Sequence, residues 1–270
     1  DVTAAYSSTA DRIITAAVAD KGAAWNTLAR FTDYSGNRLS GSAALERGID
    51  WLVAEMKKDG LDNVHTEPAL VPHWVRGKES ATLLQPRVAN LPMLGLGGSV
   101  ATPKGGITAP VMVVGSFEEL TARATEAKWK IVLFDVPFTN YGATVAYRSG
   151  GASAAAKVGA LAALVRSVTP YSMRTPHTGA MNYDTTVAKI PTAAITVEDA
   201  MMIHRMVSRG EPVVVKLEME AQTLPDVMSR NVMAEIRGSE KPDEIMLYEP
   251  GITVESVAML EEIDAGNGRK

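Results

Sequence analysis

Cysteine is absent from all 270 residues. That excludes disulfides, Cys-ligated zinc and thiol catalysis within this sequence. Histidine is scarce: His65, His73, His177 and His204 are the four. No two of them stand at metal-binding spacing, and no His-Glu-x-x-His occurs. No Gly-x-Ser-x-Gly elbow supports a serine hydrolase. No apolar run reaches the roughly 18 residues of a membrane helix, so no membrane span is expected. Charge of one sign is also lacking. The net value is -4 with both signs interspersed, which leaves no electrostatic footprint for nucleic acid. Internal repeats and low-complexity tracts are missing. Asp1 rather than Met opens the sequence, which suggests a processed or a trimmed N-terminus, so any signal peptide would already be gone.

What is present is a real core. Hydrophobic residues make up 46% of the chain, ordinary for a globular protein, and the length suits one large domain or two ordinary ones. The stretch from Trp129 to Val197 organises the rest. Lys130-Ile-Val-Leu-Phe-Asp135 and Ala160-Leu-Ala-Ala-Leu-Val165 read as buried strands, with an Ala-rich helix from Gly151 to Gly159 between them. Ile190-Pro-Thr-Ala-Ala-Ile195 is a third strand, leading into a helix over 197–208. Strand, helix, strand, long loop, strand, helix predicts an α/β fold. Ile107–Val114 and Glu211–Met219 add strands. Ser116-Phe-Glu-Glu119 reads as a capping box opening a helix to about Ala127.

Upstream, helices are expected over Tyr6–Phe31, with a break at Gly22, and over Ala43–Asp59, with Gly60 as the cap. Val64–Glu67, Val71–Gly77 and Ala81–Leu84 read as strand material. Gly95, Gly97 and Gly98 resemble a dinucleotide loop, but Val100 stands where a further glycine is needed and no helix follows. Downstream, Ser229–Gly238 and Glu244–Tyr248 read as strands. Val254, Val257 and Leu260 in the tail would suit a short amphipathic helix, and Glu261, Glu262 and Asp264 its solvated face.

The candidate site is the loop Arg166-Ser-Val-Thr-Pro-Tyr-Ser-Met-Arg-Thr-Pro-His-Thr-Gly179. Loops of that length are uncommon unless functional or disordered. Arg166, Ser167, Tyr171, Arg174 and His177 concentrate hydrogen-bonding groups in it. They are expected to line a cleft between this α/β unit and the N-terminal lobe, making contact with a small ligand or peptide or with the neighbouring domain; hydrogen bonds within the loop are the competing reading. His204 reads as a helix-face residue and His73 as a packed one.

Several segments resemble one family. Arg38-Leu-Ser-Gly-Ser42, Pro72-His-Trp-Val-Arg-Gly77, Gly142-Ala-Thr-Val-Ala-Tyr-Arg148, Arg166-Ser-Val168, Pro176-His-Thr-Gly179 and Lys189-Ile-Pro-Thr-Ala193 through Thr196-Val-Glu-Asp-Ala200 are similar, in order, to the carboxypeptidase Q group of the M28 zinc metallopeptidases. The resemblance runs from about Ala10 to Leu247. It implies an N-terminal lobe over 1–105, like the start of an M28 peptidase domain. A protease-associated (PA) domain would follow over 106–220, then strands over 221–248 that resume the peptidase-like sheet. Residues 249–270 form a divergent tail. It also implies a secreted or periplasmic protein.

The match stops where that family places its zinc ligands. Past Leu247 the family's His-x-Asp segment has no counterpart, and Glu261-Glu262 lacks the context of the family's Glu-Glu pair. No catalytic or metal-binding residue carries over, and zinc, the cofactor of the full-length family, has no assigned ligand on this chain. Two functions follow as expectations. One is a non-catalytic binding or interaction protein. The other is a fragment or component of a secreted zinc-dependent metallo-carboxypeptidase or dipeptidase acting on small peptides. Strand edges and an apolar face left uncovered after Met246-Leu-Tyr248 would invite a homodimer, a larger assembly or a partner chain, or else a tail over 252–264 that folds back as cover.

Overall fold

A computed structural model describes residues 2–239 and 241–246. Elements follow in chain order: α1 (Val2–Ala19), α2 (Ala23–Ser35), α3 (Ala43–Lys58), β1 (Asp62–Val75), β2 (Glu79–Gln85), β3 (Ala89–Leu91), β4 (Met93–Gly95), β5 (Ile107–Val114), α4 (Phe117–Ala122), α5 (Ala124–Ala127), β6 (Ile131–Phe134), α6 (Tyr141–Lys157), β7 (Ala162–Arg166), β8 (Thr192–Ile195), α7 (Val197–Ser208), β9 (Val214–Met219) and β10 (Gln222–Glu235). The chain divides into two units. The larger takes in residues up to 51 and 68–231; the smaller takes in 52–67 and residues from 232 onward.

The larger unit is built on an eight-stranded sheet of order β3-β2-β9-β5-β6-β7-β8-β4. Its centre, β5 to β8, is parallel, in register through Val111 with Ile131, Ile131 with Ala162, and Leu164 with Ala193. Antiparallel strands complete it on both sides. Every residue of β6 and β8 is buried, as a parallel sheet covered on both faces requires. Alternation sends successive side chains to opposite faces. Val111, Val113, Ile131, Leu133 and Leu164 join Ile203 of α7 on one face. Met112, Val114, Val132, Phe134 and Val165 join Leu120, Ala152 and Ala155 on the other. The mixed α/β class expected from the sequence is what the fold has.

Side-chain caps fix four helix starts among the described residues; Ser42 Oγ opens α3 by accepting from the Leu45 backbone N–H at 3.1 Å. Ser116 Oγ, Asn140 Oδ1 and Thr196 Oγ1 accept from the backbone N–H of Glu119, Ala143 and Asp199 at 3.0, 2.9 and 3.0 Å. The helix expected to reach Ala127 is two short ones. Arg123 leaves helical geometry at φ -108, ψ 24, while its guanidinium holds Glu119 and Glu126. The Ala-rich helix begins at Tyr141, ten residues before its expected start. Gly151 lies inside it, where a Cβ would stand 3.0 Å from the Phe134 ring. The glycine therefore marks close helix–sheet packing rather than a helix start.

α1 and α2 are separated at Gly22, which adopts φ 111. Both leave apolar side chains exposed, among them Ile13, Ile14, Val18, Trp25 and Leu28. β1 runs unbroken through Pro68 and Pro72 and pairs with β10 as a two-stranded sheet. The expected strand at Glu244 does not form over 244–246. Instead, Glu244 closes a turn on Lys241 through backbone and side chain. The rest of that strand and the tail helix lie outside the described residues. Among the described residues, no helix is long and apolar enough to cross a membrane.

Candidate functional site

In open α/β sheets, ligand-binding residues gather at the carboxyl ends of parallel strands. Here those ends carry Ser116 after β5, Asp135 after β6, Arg166 closing β7 and Thr196 after β8. Asp135 is buried, with 5% of its side chain exposed. Its Oδ1 accepts from Arg166 Nη1 at 3.1 Å, and its Oδ2 lies 2.6 Å from His204 Nδ1. A carboxylate at that distance requires the imidazole to carry a proton on Nδ1. His204, two turns into α7, leaves half of its side chain in solvent.

The long loop is stitched to its surroundings. Ser167 Oγ donates to Ile195 O at 2.7 Å and accepts from His177 N at 2.8 Å. Ser172 Oγ donates to Glu198 at 2.6 Å, the Arg174 backbone N–H donates to the other oxygen of Glu198 at 3.1 Å, and the Arg174 guanidinium reaches Asp199 at 3.3 Å. The Ser172 hydroxyl, with backbone N–H groups beside it, holds the Glu198 carboxyl below its usual range. Met173 and Arg174 adopt positive φ of 45 and 56, a strained conformation for residues bearing a Cβ.

The five residues expected to share a cleft are thus distributed. Arg166 turns to Asp135. Ser167 and His177 meet through the His177 backbone, with the imidazole itself in an exposed residue. Tyr171 is 82% exposed. Arg174 alone lines the cleft beside α7. That cleft, of about 700 Å³, lies between the residues around β3 and the side of α7 that carries Glu198 to Arg205. Arg87, Leu91 and Pro92 form one wall, and Asp199, Met202 and Arg205 the other.

A further buried group lies under the end of the loop. Arg148 of α6 is 8% exposed and donates from Nη2 to Tyr141 OH at 2.7 Å. Its Nε and Nη1 have no partner among the described residues. Gly179 packs on it so closely that a Cβ there would stand 2.5 Å from Arg148 Cζ.

Sequence reasoning passed over Asp135 and His204, and Arg87 and Arg205 with them. The legible signal for Asp135 was an acidic residue closing a buried strand. Nothing local pairs it with a histidine 69 positions away. The remaining histidines stay apart: His65 meets Asn63 O and Glu67, while His73 packs over Gly41. The glycines from Gly95 to Gly98 serve a strand end and a bridge from Gly97 to Ala180.

No family model matches the chain. Curated relatives do. Carboxypeptidase Q of Bos taurus is 51% identical over 244 residues, 90% of this chain and 52% of the relative. Carboxypeptidase Q of Xenopus laevis is 52% identical over the same shares. The human protein is 52% identical over 83% of this chain and 47% of its own length. Among solved structures, a peptidase M28 precursor from Shewanella amazonensis superposes with a TM-score of 0.74 at 37% identity, covering 78% of this chain and 49% of that one. A Bacillus subtilis zinc aminopeptidase, at 21% identity and a TM-score of 0.54, shares the fold. By sequence and by fold, the chain is a carboxypeptidase Q homologue within the M28 peptidases, and it spans about half the length of the curated relatives it matches.

Proposed function

We propose that these residues are the non-catalytic, ligand-holding portion of a carboxypeptidase Q-like protein. On this reading residues 106–220 are a PA module, residues 1–105 belong to the neighbouring lobe, and the protein works outside the cytoplasm. The observation that carries it is the make-up of the described residues. No group of three or more His, Asp or Glu side chains is placed to hold a metal ion. Asp135 and His204 do meet, but they are committed to each other and to Arg166. A hydrolytic zinc needs about three protein ligands and an open position. The described residues do not fit one, and no hydrolytic step is assigned to them. Metal analysis of the purified chain, beside a dipeptide-hydrolysis assay with added zinc, tests the reading. The expected result is no stoichiometric zinc and no turnover; tightly bound zinc with chelator-sensitive turnover overturns it.

A second reading makes the chain a component of a zinc-dependent metallo-carboxypeptidase or dipeptidase, completed by a partner chain or assembled as a homodimer. The exposed apolar side chains of α1 and α2 support it, because apolar surface of that kind marks a contact to be made. Co-expression with the portion of a carboxypeptidase Q relative that this chain does not match would give a stable, peptide-hydrolysing complex on this second reading. Two polypeptides that purify apart favour the first.

A further inference from the structure

We propose that the cleft between the β3 region and α7 binds a small organic anion, a carboxylate on an apolar body, through Arg87 and Arg205. This names the ligand class of the binding reading above and rests on it. The argument begins with charge. Three arginines and two carboxylates line the cleft: Arg87, Arg174 and Arg205 against Glu198 and Asp199. Both carboxylates are already engaged. Glu198 accepts from Ser172 Oγ and from the Arg174 backbone. Asp199 accepts from Thr196 Oγ1 and from the Arg174 guanidinium. Arg87 and Arg205 remain. Arg87 reaches only the Met202 sulfur, at 3.6 Å, a weak acceptor. The Arg205 guanidinium has no hydrogen-bonding or ion-pair partner among the described residues. Two guanidinium groups, one on each wall, thus face the cleft without an oxyanion.

A carboxylate fits a guanidinium fork as the acceptor of parallel N–H bonds. The surplus of one positive charge on the lining suits a monoanion. Leu91, Pro92 and Met202 between the arginines give an apolar body its contact. A volume of about 700 Å³ falls in the range of roughly 300–1,000 Å³ that small-molecule sites occupy. The walls are firm. Leu91 is in register with Ala81, and the first turn of α7 is capped by Thr196.

The test is calorimetric titration of the full 270-residue chain with three probes: hydrocinnamate, its neutral amide and inorganic phosphate. Saturable hydrocinnamate binding is expected, with the amide silent and phosphate weaker. The double variant Arg87→Gln/Arg205→Gln should bind hydrocinnamate about tenfold more weakly or worse, from the loss of charge-assisted hydrogen bonds. It should melt as the parent does, because both side chains are exposed. Arg209→Gln, whose partner is Glu211 outside the cleft, should bind as the parent does. No hydrocinnamate binding, equal binding of the amide, equal affinity for phosphate, or an unaffected double variant would each overturn the proposal. Zinc-dependent turnover of the parent chain would overturn the functional reading while leaving the comparison between parent and double variant intact.

Discussion

Asp135 and His204 meet at 2.6 Å, Oδ2 to Nδ1, across 69 positions of chain, and Arg166 holds the other carboxylate oxygen at 3.1 Å. The two partners should differ in what they contribute. Asp135 and Arg166 are both largely buried, whereas His204 is half in solvent. Removing one partner of a buried pair leaves an uncompensated charge, which costs about 3–5 kcal/mol. Arg166→Met should therefore lower unfolding free energy by about that amount in urea titration. His204→Ala, which leaves the Asp135–Arg166 pair in place, should cost about 1 kcal/mol. A histidine variant as damaging as the arginine variant would reverse this order of importance.

Arg148 carries a prediction of the opposite sign. Its guanidinium is buried with Nε and Nη1 unpartnered among the described residues. Replacing buried charge with a well-packed apolar side chain is often neutral or stabilising, by about 1–4 kcal/mol. Arg148→Met should leave the melting temperature unchanged or raise it. Gly179→Ala should destabilise by about 1–3 kcal/mol through overpacking, since its Cβ would stand 2.5 Å from Arg148 Cζ. The double variant should recover part of that loss, because a flexible Met yields where a guanidinium does not. Calorimetric melting of all three variants decides the matter.

These contrasts also mark how far the sequence could be read. β6 is wholly apolar and β7 and β8 are apolar but for Arg166 and Thr192 at their ends, because both faces of the parallel centre are covered, so their positions were plain. The first ten residues of α6 were hidden. Its buried positions include Thr144, Arg148, Gly151 and Ser153 as well as alanines, so no apolar stripe announces the helix. β1 was legible only in pieces, since its two prolines look like ends and not like positions in a two-stranded ribbon. The loop after β7 announced itself by length and polarity. Which partners it takes is set by α7 and β8, through contacts such as Ser172 to Glu198 and Ser167 to Ile195. Asp135 to His204 and the Arg87–Arg205 cleft are tertiary relationships, without a local spacing to betray them.

Glu79 should give stability an unusual pH dependence. Burial raises its carboxyl above the ordinary 4.5, against the pull of Arg76 and of the Gly95 N–H. A folded pKa above the unfolded one contributes stability that is full below the unfolded value and is lost as pH rises through the folded one. Glu119 and Glu198, held below their ordinary range by hydrogen bonds, work the other way, losing their contribution as pH falls. In Glu79→Gln the component that declines with rising pH should vanish. The free-energy difference between wild type and Glu79→Gln should shift against wild type from about pH 4.5 upward and then level off. A difference that is flat with pH, measured by denaturant titration across that window, would contradict the assignment.

The start of α7 couples helix capping to the loop. Thr196 is fully buried; its Oγ1 accepts from Asp199 N at 3.0 Å and donates to Asp199 Oδ2 at 2.8 Å. Asp199 Oδ1 in turn holds the Arg174 guanidinium, and neighbouring Glu198 holds Ser172 and the Arg174 backbone. Thr196→Val keeps the side-chain shape and removes only the hydroxyl. It leaves the Asp199 N–H without its cap and the buried carboxylate short of one donor, at a cost of about 1–3 kcal/mol. Ser116→Ala, which removes the cap of the short helix α4, should cost about 1 kcal/mol and leave the loop alone. Amide hydrogen exchange separates the two effects. Thr196→Val should speed exchange at Asp199 and Arg174 together, because one carboxylate network links the helix start to the loop, whereas Ser116→Ala should speed it only near Glu119. Faster exchange at Asp199 with Arg174 unchanged would mean that the loop keeps its conformation without the first turn of α7.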